Sequence, residues 1–275
     1  MYTDGWALAG RVGVVVGAGG GGHGTAITQA LVEAGATIAA WDFSQDALDE
    51  LMARQSAGPG RIVPMRVDAC DSAQVEQGFE RVVNELGPLH SLTHVVGGTR
   101  PGQWGEVADC ADETFCAILQ HNLFASFYAS RGAARRMREA GGGSIVNISS
   151  VSGLVSAPEH GPYGAAKAAM VALTRTMAIE LSAQQVRVNV VAPGAMSVPR
   201  LAYLHSGQPG IAETIPLGQR GTPFDVAAAT LFLHSGLAGY ITGQVLAVDG
   251  GLMAKTPYGG AVLRRMTQPA TEASA

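Results

Sequence analysis

Short apolar runs rich in β-branched residues alternate along this chain with longer segments whose apolar positions recur every three to four residues. RVGVVV (11–16), TIAAWD (37–42), RIVPMRVD (61–68), LTHVV (92–96), SIVNISS (144–150), VRVNVVAPGAMSVPR (186–200) and GYITGQVLAVDGG (239–251) read as strands. Between them TAITQALVEAG, SQDALDELMARQ, DSAQVEQGFERVVNEL, a long segment over roughly 113–138, the segment from Tyr163 to Leu181 and FDVAAATLFLHS read as helices. Ser44, Asp71 (with Gln74 three residues on) and Thr222 before Pro223 are the expected helix starts. Strand and helix in alternation predict a single α/β domain with a parallel, doubly wound sheet.

Composition narrows the function classes. A chain of 275 residues suits one domain with a full core, and its 37 glycines punctuate apolar segments instead of forming a tract. The net charge is −4 with the 18 basic residues scattered, so no nucleic-acid footprint is expected. No apolar run reaches membrane-spanning length and the start, MYTDGWALAG, has no leader pattern, so no membrane partner is expected. Cys70, Cys110 and Cys116 show no ligand spacing and fit free thiols in a reducing compartment, hence a cytoplasmic protein. His23, His94, His121 and His160 fall near the candidate chemistry without a coherent ligand pattern. No metal is expected, and His160 alone is a candidate substrate contact.

The first candidate site is GAGGGGHG, from Gly17 to Gly24, between a strand and a helix. Glycines let backbone amides approach a pyrophosphate, and the helix N-terminus adds partial positive charge. Gly17, Gly22, His23 and Gly24 are the expected contacts. Asp42 closes the next strand, where a carboxylate accepts from both hydroxyls of an adenosine ribose and repels a 2′-phosphate. Its neighbours Trp41 and Phe43 bring no cation, so NAD is favoured over NADP.

The second candidate site centres on Tyr163 and Lys167, one helical turn apart. At 100° per residue Tyr163, Lys167, Met170, Thr174, Met177 and Leu181 share one stripe, the one expected to face the core. An ammonium beside a phenol favours the phenolate, and lowering a tyrosine by ~3 units takes ~4 kcal/mol. Ser150, thirteen residues before Tyr163, ends a strand that the following loop and helix fold back upon, which brings a hydroxyl near the phenol. Ser149 points the other way in a strand.

With NISS, Y-x-x-x-K, the glycine loop, PLGQRGTP and ITGQVLAVDGG together, the chain from about Leu8 to Leu252 resembles the short-chain dehydrogenase/reductase family. The resemblance implies a sheet of about seven strands, and a hydride exchanged between a nicotinamide cofactor and a secondary alcohol or ketone. By it Ser150, Tyr163 and Lys167 are catalytic, with Asn122 of QHNLFASF holding a proton-relay water. Lys167 also meets the nicotinamide ribose, Asp68 sits by the adenine, and Pro193-Gly194 lies beside the nicotinamide. The family's Asn-Asn-Ala-Gly is here Val95, Val96, Gly97, Gly98, with Gly97 a cofactor contact. The family's threonine before the first loop glycine is Val16, its threonine after Pro193-Gly194 is Val198, and the glycine loop is one residue longer.

Residues 195–217 match the family's substrate lid, whose apolar character implies an uncharged, moderately hydrophobic substrate. Residues 253–275 form a tail beyond the resemblance, its end expected to be disordered. The helix after Tyr163 is also apolar on its far side, at Ala165, Ala168, Ala169, Ala172 and Ile179, which implies cover by a second subunit in a homo-oligomer, a dimer or, as in the family, a tetramer. Two rival readings stay open: an NADPH-dependent 3-oxoacyl thioester reductase, and a non-catalytic dinucleotide-binding regulator.

Overall fold

In a computed structural model, which describes residues 4–54, 58–198 and 211–254, seven strands form one parallel sheet. They are β1 (Val12–Val16), β2 (Thr37–Asp42), β3 (Arg61–Arg66), β4 (Leu89–His94), β5 (Gly143–Ile148), β6 (Val186–Pro193) and β7 (Val245–Val248). Their order is β3-β2-β1-β4-β5-β6-β7, and every neighbouring pair is parallel. The direction of winding reverses between β1 and β4. That reversal opens a crevice above their carboxyl ends, the place where such sheets bind ligands.

Helices cover both faces. On one lie α1 (His23–Glu33), α2 (Gln45–Ala53) and α8 (Pro223–His234); on the other α3 (Ser72–Leu86), α5 (Ala125–Ala140) and α6 (Gly161–Glu180). The strands are buried from both sides, so they carry continuous Val/Ile/Leu runs instead of alternation. Trp41, Phe79, Leu92 and Met137 fill the layer under α3 and α5, and Ile27, Leu31, Ile38, Leu48 and Leu51 the layer under α1 and α2. The helix starts behave as their side chains require. Ser44 accepts from the Ala47 amide, Asp71 from those of Ala73 and Gln74, and Thr222 with Asp225 forms a capping box. The buried His234 ties α8 to the sheet, its ring nitrogens lying 2.8 Å from Thr93 Oγ1 and 3.1 Å from Ser144 Oγ.

Several strands have other limits than the sequence reading gave them, β7 being only the centre of its expected run, and two boundaries differ for tertiary reasons. The segment expected as one helix over 113–138 is α4 (Asp112–Leu119), a π-helical turn Gln120–Phe124, and then α5. In that turn the Asn122 amide donates to the Ile118 carbonyl, competing with the backbone for its own helix. The strand expected through Ser150 ends at Ile148, and the Ser150 Oγ accepts from the Ser152 amide to start a 3₁₀ turn. A four-residue helix, α7 (Ile211–Thr214), lies within the expected lid. Most of that lid (199–210) and nearly all of the tail lie outside the described residues.

Candidate active site

Every candidate residue from the sequence lies at or just past the carboxyl end of a strand, or on a helix facing that edge. The glycine loop follows β1. Gly17 takes φ +83°, and a Cβ on Gly24 would stand 1.8 Å from the Gly17 carbonyl oxygen, so loop and helix touch backbone to backbone. Thr25 Oγ1 donates to the Ala18 carbonyl and accepts from the Gly21 amide, which locks the turn. Helix α1 begins at Gly22 without a side-chain cap, and nothing lies within 4 Å of where a Gly20 or Gly22 Cβ would be. Uncapped amides facing open space at a helix N-terminus suit a pyrophosphate, so the residues present fit a dinucleotide.

Asp42 sits at the end of β2 with Oδ2 accepting from the Gly19 amide at 3.1 Å and Oδ1 from the Ser44 amide at 3.1 Å. It thus braces the loop it was expected to serve. The sheet register sets Arg66 of β3 opposite Asp42, and its Nε donates to the Phe43 carbonyl at 3.1 Å. The sequence around Asp42 shows no such cation, since strand pairing brings it there. Asp68 is exposed; its Oδ1 accepts from the Cys70 amide, and its own amide donates to Gln74. In the centre, Val95 donates to the Val16 carbonyl at 2.9 Å, and Val16 shares the apolar layer that Val96 packs against.

Gly97 is the junction between the two candidate sites. Its φ is +156°, and a Cβ there would lie 2.6 Å from Asn122 Oδ1 and 2.8 Å from Lys167 Nζ. Asn122 is fully buried. Its Oδ1 accepts from the Gly98 amide at 2.8 Å, while Nδ2 donates to the carbonyls of Gly98 (2.9 Å) and Ile118 (3.0 Å). The asparagine side chain therefore holds the turn after β4 against the π-helical break.

Helix α6 starts at Gly161, with Pro162 in its first turn. Lys167, Met170, Thr174, Met177 and Leu181 are buried as the stripe requires, and Tyr163 is half-buried at its upper end. Lys167 is 2% exposed; Nζ donates to the Ile148 carbonyl at 3.0 Å and stands 5.6 Å from the centre of the Tyr163 ring. Burial lowers its pKa to about 7. Two glycines seat the Ser150 turn on this helix: a Cβ on Gly153 would meet the Lys167 carbonyl carbon at 2.7 Å, and one on Gly164 the Ser152 carbonyl oxygen at 2.8 Å. Ser149 is buried the other way, with Oγ donating to the Lys167 carbonyl. Pro193 ends β6, and Gly194 donates to Val248 so closely packed that a Cβ would stand 2.8 Å from Asp249.

Trp104 escaped the sequence reading, and two of the histidines named there as lying near the candidate chemistry, His160 and His94, have surroundings the sequence did not show. The indole of Trp104 stacks on His160 at 3.7 Å, and His160 stacks in turn on Tyr163 at 4.3 Å. His94, at the end of β4, is completely buried with no hydrogen-bond partner on either ring nitrogen. Burial first, then Lys167 and His121, holds its pKa well below the usual value. Among the described residues no cluster of His, Cys, Asp or Glu is arranged to hold a metal, and no helix is long and apolar enough to cross a membrane.

A glycine turn at an uncapped helix start, a carboxylate at the end of β2, and a tyrosine above a buried lysine thus lie along the carboxyl edge of the sheet. The model of the family described as enoyl-(acyl carrier protein) reductase matches residues 17–253. A 3-oxoacyl-(acyl-carrier-protein) reductase of Thermotoga maritima is 35% identical over 247 residues, which is 90% of this chain and 99% of that protein. A 3alpha-hydroxysteroid dehydrogenase of Mediterraneibacter gnavus is also 35% identical over 247 residues, covering 88% of this chain and 97% of its own. Among solved structures, a 7 alpha-hydroxysteroid dehydrogenase complexed with NADH and 7-oxo glycochenodeoxycholic acid superposes with a TM-score of 0.83 at 29% identity. That likeness covers 90% of this chain and 96% of the other. The chain belongs to the short-chain dehydrogenase/reductase family, and it is an oxidoreductase of the kind that acts on CH–OH groups with a nicotinamide cofactor.

Proposed function

We propose that this protein oxidises and reforms a secondary alcohol with NAD, with Tyr163 as the proton-transferring group. The observation that carries the reading is Lys167, buried beneath the Tyr163 ring and aimed, with Asn122, at the space where Gly97 lacks a side chain. In alcohol oxidation the phenolate of Tyr163 takes the hydroxyl proton. The Ser150 hydroxyl, whose oxygen already accepts from Ser152, donates its proton toward the substrate oxygen and holds it in place. Lys167 favours the phenolate while it carries its proton, and in the reverse direction Tyr163 acts as the acid. Asn122 supports the proton relay by fixing the Gly98 turn that lies beside Lys167.

The cofactor would lie across the crevice, with Gly17, Gly22, His23 and Gly24 at its pyrophosphate, Asp42 at the adenosine ribose and Asp68 by the adenine. Gly97, Tyr163, Lys167, Pro193 and Gly194 would line its nicotinamide end. Bound there, it supplies the hydride acceptor or donor. Asp42 supports NAD over NADP. One observation supports the rival, an NADPH-dependent 3-oxoacyl thioester reductase: Arg66 lies across the register from Asp42, where a 2′-phosphate would find a cation. Such a reductase is also among the relatives. Titration calorimetry with NADH and NADPH separates the two, and tighter NADPH binding overturns the NAD assignment. A panel of uncharged secondary alcohols, hydroxysteroids included, followed by appearance of reduced cofactor, tests the activity. Binding of either cofactor without turnover on any alcohol or ketone would favour a regulator.

A homo-oligomer is part of the proposal. On the far side of α6, Ile179 is 75% exposed, and Phe115 and Phe124 are also open to solvent, an apolar surface that a second copy would cover. A cytoplasmic location fits the three free thiols. Sedimentation as a monomer at micromolar concentration would refute the oligomer.

A further inference from the structure

The segment between β4 and α4 crosses the candidate site and is fastened to the loop that precedes α6. The Gly105 amide donates to the Glu159 carbonyl at 2.8 Å, and a Cβ on Gly161 would meet Val107 at 2.3 Å. Glu159 is held at φ +61°, a conformation that favours glycine and is retained here beside the site. Within this junction the Trp104, His160 and Tyr163 rings stack at 3.7 Å and 4.3 Å, tilted by only 14° and 13°. His160 Nε2 also lies 3.3 Å from Thr99 Oγ1.

We propose that His160 and Trp104 are positioning residues, a two-ring clamp that fixes the plane of the Tyr163 phenol for proton transfer. The inference rests on the reading of Tyr163 as the proton-transferring group. A phenol on the first turn of a helix is free to turn about its last side-chain bond unless its faces are covered. Lys167 stands 5.6 Å from the ring centre, and His160 stacks on the ring. The imidazole does this as a neutral ring, because burial pushes its pKa down to about 4. A flat neutral ring of similar size should therefore serve as well. Trp104 backs the imidazole, and Thr99 sets the rotation of that ring.

The test compares His160→Ala, His160→Phe and Trp104→Ala with the wild type in two readouts. In turnover, H160A should lose about tenfold in kcat, ~1.4 kcal/mol of barrier, with NADH affinity unchanged. H160F should retain wild-type kcat, and W104A should fall between them. The second readout needs no substrate: the protein carries six tyrosines, so 3-fluorotyrosine labelling with Y163F as the reference assigns the Tyr163 fluorine signal. A clamped ring gives two resolved signals, one for each ring orientation, and H160A merges them.

A single averaged Tyr163 signal in the wild type overturns the clamp. So does wild-type kcat in H160A, and so does an H160F enzyme as impaired as H160A, which would mean that the imidazole works through its nitrogens. Two signals that merge in H160A, in a protein that oxidises no alcohol, would sustain the clamp and refute the dehydrogenase reading.

Discussion

Replacing Gly97 by alanine should disable the site while leaving the fold standing. The added methyl would lie 2.6 Å from Asn122 Oδ1 and 2.8 Å from Lys167 Nζ, so both groups must retreat to restore ordinary contact. Neither retreats freely. Asn122 makes three hydrogen bonds of 2.8–3.0 Å, and Lys167 Nζ is anchored to Ile148 at 3.0 Å. Relief approaching 1 Å at catalytic groups costs about 10²-fold in rate. Crowding a packed site costs ~1–3 kcal/mol of stability. The assay is kcat of G97A on the alcohol that the wild type oxidises best, beside NADH binding and urea unfolding. Gly102→Ala is the control for backbone strain, because Gly102 has φ +82° with nothing within 4 Å of its Cβ position. A folded G97A with wild-type kcat would refute the reasoning.

The other predictions concern burial and the cofactor loop. Burial holds Lys167 at about 7 against 10.5 for an exposed lysine, so the unfolded chain binds more protons between these values. Stability should therefore be lowest below pH 7 and rise toward pH 10.5, by up to ~5 kcal/mol, in urea unfolding. Lys167→Met should remove that slope together with turnover. On the acid side His234 titrates at about 3 in the fold against 6.5 outside it, so stability should fall as pH drops from 6.5 toward 3. His94→Leu removes two unpartnered ring nitrogens and should leave the urea midpoint at pH 7 unchanged or higher. Gly24→Ala would drive a methyl to 1.8 Å from the Gly17 carbonyl oxygen and should abolish NADH binding measured by calorimetry.

What could be read in the sequence is what local pattern determines. Continuous Val/Ile runs marked the buried strands, the period of α6 put Lys167 in the core, and the glycines between β1 and α1 marked the loop. What could not be read comes from chain segments far apart in sequence. The π-helical break at Gln120–Phe124 accompanies the grip of Asn122 on Gly98, which no helix propensity encodes. Arg66 reaches the neighbourhood of Asp42 only through the pairing of β2 with β3. Trp104 meets His160 across 56 residues, so an indole in a loop gave no sign that it backs the candidate tyrosine. The seating of Ser150 was half visible: its distance from Tyr163 is a matter of counting, whereas Gly153 and Gly164, which let the turn approach α6, become meaningful only in three dimensions.

The central claim is that Tyr163 transfers the proton in a nicotinamide-linked oxidation. Its most direct test is a comparison of wild type and Tyr163→Phe in stopped flow, with saturating NAD and the preferred alcohol, following reduced cofactor in the first turnover. The expected result is a wild-type burst or steady rate that Y163F lacks while binding NADH equally well. Formation of NADH by Y163F at the wild-type rate would contradict the account.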